Sequence, residues 1–496
     1  MAIDVRIDAG RWWQDDLLLA PAMQLRELLV RGELSAVELI DRVYARQAER
    51  HESVNAIVTP VPLQEARDRA RAADRAVRAG RPLGALHGLP FTVKDLIEVQ
   101  GLPCTAGSVA LRDHISTRTA PAVARLIGAG AILIGKTNCA EFGVGNLHTG
   151  NRLFGDTRNP WDPTLTPGGS SGGDSAAIAC GMAAFGIGTD YGGSVRWPAQ
   201  CTGVTALRPT AGSVPNAGVL PWWSADPRVA ADREASLHWR LQTVGVIARS
   251  AADLRAVGKV LAGDDSRAAA APDRSRNPIG RLDGLACAWF TEVGDRPVTP
   301  QIAAAVADAA RVVADCGAVV GQERPDGFGE LPVLFDDLRV GDRQNELAGL
   351  VAGRRSVLTP LVARILAQAE NPAADVPGVA AQAAAARMEL LRRTIADFMQ
   401  SWPVLLLPVS ADLAFRPEPA EFIRVPSESR TWLEAPCRAT SLLGLPVAVA
   451  ICGTSADGRP VGVQIVGRHL HEDDVLRVAA ALEQQFGRWR PARTAS

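Results

Sequence analysis

The chain has 496 residues, 47% hydrophobic and 22% charged, with a formal net charge of −1. That is enough apolar material for a large buried core, and so even a balance excludes attraction to nucleic acid or to a membrane surface through overall charge. No stretch approaches the ~18 uninterrupted apolar residues of a membrane span, the N-terminus carries Asp4, Asp8, Asp15 and Asp16 instead of a basic leader, and the eight cysteines form no CxxC pair, so a cytoplasmic protein is expected.

Residues 23–50 have apolar positions near the helical period. They predict two helices broken at Gly32, with Ser35 as N-cap and Glu38 three residues later as a capping box. Residues 64–79 predict another helix. After the turn region Gly80–Gly88, Leu89–Val93 is an apolar strand ending in Lys94-Asp95. Residues 121–129 predict a helix and Ala131–Ile134 a buried strand. The segment Gly130–Thr137 matches GxxxxGK[ST], but its four middle residues are Ala-Ile-Leu-Ile, a strand where a phosphate loop needs a cradle. Nucleotide binding is not expected there, and Lys136 reads as a structural hydrogen-bond donor.

The stretch Thr166–Pro198 holds two glycine-rich loops, Gly168–Gly173 and Gly192–Ser194, each presenting serine. Asp174–Ala184 reads as a helix and Phe185–Gly188 as a strand. A helix of about eleven residues climbs roughly 16 Å, and a strand of about five returns a similar distance. Ser170 and Ser194 are therefore expected side by side at one sheet edge. If Leu89–Val93 runs parallel to Phe185–Gly188, Lys94 ends at that same edge, where open α/β sheets place their sites. Glycines let the backbone approach a ligand closely, and consecutive N–H groups can hold an oxyanion.

Further along, Val204–Pro209 reads as a short strand and turn, and Gly212–Pro221 as a loop. Residues 222–243 carry Trp222, Trp223, His238 and Trp239, and 222–241 is expected to form a flap with Trp222 and Trp223 as a substrate wall. Val244–Ile247 is a strand, Ser250–Asp253 a helix start, and 264–281 a linker or exposed loop. Residues 301–315 and 378–400 are alanine-rich helices. Val404–Leu407, Val447–Ala450 and Gly462–Val466 are strands, and Glu472–Gln485 closes the chain as a helix. Alternating strands and helices imply an α/β fold.

His469 and His471 sit at a strand-to-helix junction where Glu472, Asp473 and Asp474 suit a helix N-terminus. They are not read as a metal site, and no cofactor is expected. Of seven histidines only His148 lies near either serine in sequence. A lysine base is the better expectation. Only three of the 53 basic residues are lysine: Lys94, Lys136 and Lys259. A lysine kept in an arginine-rich chain can do what arginine cannot, which is lose its proton near neutral pH.

The segments LHGLPFTVKDLIEVQGLP (86–103), GAGAILIGKTNCAEFG (128–143), PGGSSGGDSAAIA, GTDYGGSVRWPAQCTGVTALRPT, GLPVAV (444–449) and GRPVGVQIVGRHLHEDDVLRVAAALE (458–483) resemble the amidase signature family of serine hydrolases. The resemblance spans nearly the whole chain and is weakest from about 264 to 400. It implies an α/β fold with a large mixed central β-sheet flanked by helices on both faces, as a single domain over 1–496. Its parts would be N-terminal helices at 23–80, a signature core at 86–260, a variable helical region at 264–400 and a C-terminal part of the core at 401–485.

The resemblance also implies a Ser–cis-Ser–Lys triad. Ser194 would be the nucleophile, Ser170 the bridging serine at a cis non-proline peptide bond, and Lys94 the base. The N–H groups of Tyr191, Gly192, Gly193 and Ser194 would form the oxyanion hole, with Ser171, Asp190 and Arg196 in support. Asp174 stands where a small or other polar residue is common. An acid suits a helix N-terminus, so no loss of activity is expected from it. The implied substrate is a small amide, ester or carbamate, without cofactor, nucleic acid or membrane, in a monomer or homodimer. The alternatives are the glutaminase component of a tRNA-dependent amidotransferase, which would need partner subunits, and a non-catalytic binding protein of the same fold.

Overall fold

Eleven strands form one mixed sheet in the computed structural model, which describes residues 17–144, 147–221, 236–263, 281–294, 296–340, 345–370, 378–418 and 431–488. In chain order the strands are β1 (Ile57–Pro60), β2 (Pro90–Lys94), β3 (Ile132–Thr137), β4 (Gly150–Asn151), β5 (Gly155–Asp156), β6 (Phe185–Asp190), β7 (Thr205–Arg208), β8 (Thr243–Ala248), β9 (Ala286–Trp289), β10 (Val319–Gly321), β11 (Val404–Pro408), β12 (Val447–Thr454) and β13 (Pro460–Gly467). Across the sheet the order is β1-β3-β2-β6-β8-β7-β12-β13-β11-β9-β10, and β4 pairs with β5 apart from it.

Both faces of the sheet are covered, and the strand period shows how. Along β11, Val404 and Leu406 pack with the helices Pro300–Asp315 and Glu472–Phe486. The alternate residues Leu405 and Leu407 pack instead with Phe335 and with Leu391 and Ile395 of the helix Gly378–Ser401. Successive side chains point to opposite faces, so a continuous apolar run is what a strand buried on both sides needs.

The part that positions the site is β3-β2-β6. β2 runs parallel to both neighbours. Its last residue, Lys94, therefore emerges at the same edge as Asp190, the last residue of β6. The helix before β6 is shorter than its spacing predicts. It spans Gly172–Ala179, with all eight residues buried. Gly181, at φ 77°, turns the chain before the strand begins at Phe185. Small side chains make that complete burial possible, because alanine and glycine let neighbours close in on every side of the helix.

Most expected elements appear near their expected bounds. Helices Ala22–Arg31 and Ala36–Val54 are separated by Gly32 in the left-handed region, and the Ser35 side chain accepts from Glu38 N at 3.0 Å. Only half of the capping box forms, because Glu38 Oε1 accepts from Arg42 instead. β3 continues through Lys136 and Thr137, so the GxxxxGK[ST] match lies within a strand, not a loop. The strands β1, β9 and β10 and the helix Ala435–Leu443 were not expected, while the helices Leu331–Val340 and Pro360–Glu370 fall within the region 264–400 expected to be helical. All eight cysteines are free thiols. Among the described residues no helix is long and apolar enough to cross a membrane. Trp222 and Trp223 lie outside the described residues, as does most of the expected linker at 264–281.

Candidate active site

Lys94 is fully buried, and its surroundings decide its charge. Nζ lies 2.7 Å from Ser170 Oγ, 2.9 Å from Ser171 Oγ and 2.9 Å from Thr189 Oγ1. Three contacts match the two N–H groups and one lone pair of a neutral amine, since a hydroxyl can donate as well as accept. None of these partners carries charge. Burial accordingly holds Lys94 down to about 8 from 10.5, against the pull of Cys139, Asp174 and Asp190.

Lys136 shows the opposite outcome on the neighbouring strand. It too is fully buried, yet Nζ lies 2.9 Å from Asp95 Oδ1 and 2.9 Å from Pro103 O. Burial again disfavours its charge, but Asp95 more than offsets that and raises its pKa. Lys136 is a structural cation, as its place in β3 implies.

The serine loop is held from behind by backbone. Thr149 Oγ1 donates to Gly168 O at 2.9 Å and accepts from Gly172 N at 2.9 Å. Gly168 has φ 82°, and a Cβ there would come within 2.5 Å of Pro198 Cα, so glycine is required. The Gly169–Ser170 peptide bond is cis. Ser171 N donates to Ser194 O at 3.1 Å, which ties the two serine loops together. Ser170 is buried and Ser194 half-buried, and both line one cavity of about 170 Å³.

Asp190 and Arg196 shape the second loop. The Asp190 carboxylate accepts from the N–H groups of Gly193 at 2.9 Å and Val195 at 3.1 Å. It also takes both arms of the Arg196 guanidinium, at 2.8 and 3.0 Å. Burial works against its charge, yet Arg196 together with Arg208 holds the carboxyl down to about 2. Arg196 reaches on to Ser441 Oγ at 2.6 Å, Thr440 Oγ1 at 2.6 Å and Gln464 Oε1 at 2.7 Å, which anchors the loop to the C-terminal part of the sheet. This arrangement departs from the four-donor expectation at one point. The Gly193 N–H is committed to Asp190, because that bond closes the turn after β6.

The cavity wall joins residues the sequence singled out, Tyr191 and, from the expected 222–241 flap, His238, to others it did not. Tyr191 stacks on His238 with centroids 4.3 Å apart and tilts against Phe335 at 4.9 Å. Glu434 and Arg438 also line the cavity, and Arg438 Nη1 bonds both Asp336 oxygens at 2.7 Å. Burial pushes the Glu434 carboxyl up to about 7, against the charge of Arg438. Thr189 had a detectable signal, since it lies in the motif GTDYGGS. Phe335, Glu434 and Arg438 had none, because their helices carry ordinary amphipathic patterns far along the chain.

Other candidates have structural partners. His148 is buried, 3.0 Å from Thr166 Oγ1 and 3.1 Å from Asp156 Oδ1. Glu472 accepts from Thr210 N at 2.9 Å, and Asp473 pairs with Arg255 at 3.1 Å. Asp174 differs from its expected setting. It does sit in the first turn of its helix, but it is fully buried and accepts from Thr92 Oγ1 at 2.9 Å.

A family model described as Amidase matches residues 38–476. The chain is 32% identical over 473 residues to an acylamidase of Rhodococcus erythropolis, covering 93% of this chain and 94% of that protein. It is 34% identical over 486 residues to one of the subunits of the glutamyl-tRNA(Gln) amidotransferase of Roseiflexus castenholzii, covering 93% and 94%. The solved structure of 6-aminohexanoate cyclic dimer hydrolase with substrate aligns with a TM-score of 0.78 at 27% identity, covering 95% of this chain and 98% of that one.

Proposed function

Since the chain belongs to the amidase family, we propose that it hydrolyses a small carboxamide through an acyl-enzyme on Ser194, with Ser170 as relay and Lys94 as base. The observation that carries this reading is the buried lysine surrounded by hydroxyls alone. An amine in that setting is a base near neutral pH, which an exposed lysine is not.

The proposed cycle begins at the base. Lys94 Nζ takes the proton of Ser170, and Ser170 Oγ takes the proton of Ser194. Ser194 Oγ forms a bond to the substrate carbonyl carbon, whose π electrons move onto oxygen. The N–H groups of Tyr191, Gly192 and Ser194 are the donors we assign to that oxyanion. One such donor is typically worth about 3–4 kcal/mol. The relay then runs backward, gives its proton to the leaving amine, and the C–N bond breaks. Water enters the same cycle and releases the acid. Ser171, Asp190 and Arg196 hold the reacting groups in place without touching the substrate.

The cavity next to Ser194 is lined by Tyr191, His238 and Phe335, which supports an apolar or aromatic group on the substrate. Esters and carbamates pass through the same chemistry. Eight free thiols support a reducing compartment such as the cytoplasm. The identity to a component of glutamyl-tRNA(Gln) amidotransferase supports a second reading, in which the chain is the glutaminase of a larger complex. A panel of amides, esters, carbamates and glutamine separates the two, with amine or ammonia release followed directly. Turnover of aryl or alkyl amides by the isolated chain is the expected result. Turnover of glutamine alone would favour the second reading. Absence of any turnover, together with no labelling by a fluorophosphonate, would sink both.

A further inference from the structure

We propose that Asp174 is a positioning residue that supplies the counter-charge for the ammonium formed when Lys94 takes the serine proton. This rests on the reading of Lys94 as the base. Asp174 lies in the first turn of the helix that follows the serine loop, and its carboxylate accepts from Thr92 Oγ1 at 2.9 Å. Thr92 stands two residues before Lys94 on β2, so both side chains leave the same face of the strand. Thr92, Lys94 and Asp174 are all fully buried.

The sheet makes room for this carboxylate. Gly186 lies beside Thr92 on β6. A Cβ at Gly186 would come within 2.7 Å of Thr92 Oγ1 and 2.9 Å of Asp174 Oδ1. Any larger residue there would displace the acid.

The other charged and titratable groups around Lys94 are already engaged. Asp190 belongs to Arg196, with Arg208 beside it. Asp95 belongs to Lys136. Burial pushes the Cys139 thiol well above its usual range, so it stays neutral. Around Asp174 stand Thr92, Thr137 and Lys94, and among the described residues no arginine or lysine is within ion-pair distance of it. Among the described residues whose charge acts on Lys94, Asp174 is the carboxylate without an ion pair of its own.

The charge states fit this role. Burial pushes Asp174 up to about 7, against nearby Thr137, the Thr92 hydrogen bond and the charge of Lys94. Burial holds Lys94 down to about 8. Where Lys94 is neutral, Asp174 is therefore a carboxylate. When the relay delivers its proton, a cation appears in a chamber of hydroxyls, and the carboxylate one layer behind is the charge that balances it. Without that carboxylate, Lys94 releases its own proton at lower pH and is a weaker base.

The test is the rate of Ser194 inactivation by a small alkyl fluorophosphonate as a function of pH, in the whole chain and its Asp174→Asn and Asp174→Ser variants. This probe needs no knowledge of the substrate. For the parent protein the acidic limb is expected near pH 8. In both variants the limb should move to lower pH while the alkaline plateau falls roughly 10-fold, as a weaker general base requires. Circular dichroism checks folding, and Asp174→Ser serves if the asparagine variant does not fold. A limb that stays in place in a folded variant, whatever the plateau does, means that Asp174 is only structural, and the inference is overturned. If the parent protein does not react at all, the reading beneath the inference fails first.

Discussion

Lys94 Nζ and Ser170 Oγ lie 2.7 Å apart although 76 positions separate them in the chain. The lysine ends a central strand, and the serine is carried by a loop that Thr149 pins from behind. A contact of this kind is specific to an amine that can lose its proton. Arginine in its place would keep hydrogen-bond donors but stay charged. Both Lys94→Ala and Lys94→Arg are therefore expected to lower turnover of the best amide by at least about 100-fold. Steady-state kinetics on purified, folded variants decides this. An arginine variant that keeps most of its activity would rule Lys94 out as the base.

The same lysine sets a pH dependence. Its pKa is lowered by burial from 10.5 to about 8, and the neutral form is the base. As pH rises through that value the base is released, so kcat/KM should climb on an acidic limb near pH 8. A profile flat across neutral and mildly alkaline pH would count against a lysine that starts each cycle by losing a proton. The profile should be taken with a substrate whose leaving group does not itself titrate there.

Asp190 carries two duties at once, the turn that presents Ser194 and the partner of Arg196. Asp190→Ala leaves a fully buried guanidinium unpaired and frees the N–H groups of the loop. A loss of roughly 3–5 kcal/mol in unfolding free energy is expected, together with loss of fluorophosphonate labelling. Urea unfolding measures the first and gel fluorescence the second. A variant that unfolds within about 1 kcal/mol of the parent protein would show that neighbouring groups such as Gln464 and Ser441 already suffice for Arg196.

Phe335 closes the cavity against Tyr191. Truncating it enlarges the pocket away from the reacting groups. Phe335→Ala is expected to raise KM for aromatic amides by about 10-fold or more, with a smaller change in kcat, because uniform binding is what it removes. The same variant should treat short aliphatic amides much as the parent protein does. Equal effects on both substrate classes would mean that Phe335 supports the loop instead of contacting the substrate.

Local chemistry explains what was legible in the sequence. Gly32, Ser35 and Ser250 mark helix ends through rules that act over three or four residues, and the structure places those ends there. Lys94, Ser170 and Ser194 were visible because glycine-rich turns and strand ends are local features, and the parallel β2–β6 pair that the sequence could only assume brings them together. Phe335, Glu434 and Arg438 were not, since reaching the cavity depends on β12 pairing with β7 and β13 with β12 across a long stretch of chain. Nothing within a short window encodes which distant strands become neighbours.

Charge state was the other matter left to the tertiary structure. Lys94 and Lys136 end or nearly end adjacent parallel strands, and neither residue type nor spacing fixes the charge of either. One meets three hydroxyls and is held toward neutrality, while the other meets Asp95 and stays charged. Asp174 reads in sequence as an ordinary first-turn acid, yet Thr92 and the space left at Gly186 take it into the interior. Residue type and spacing determined which groups this protein has at the edge of its sheet. What each group can do with a proton is a question of the partners it faces and the water it has lost, and only the folded chain decides those.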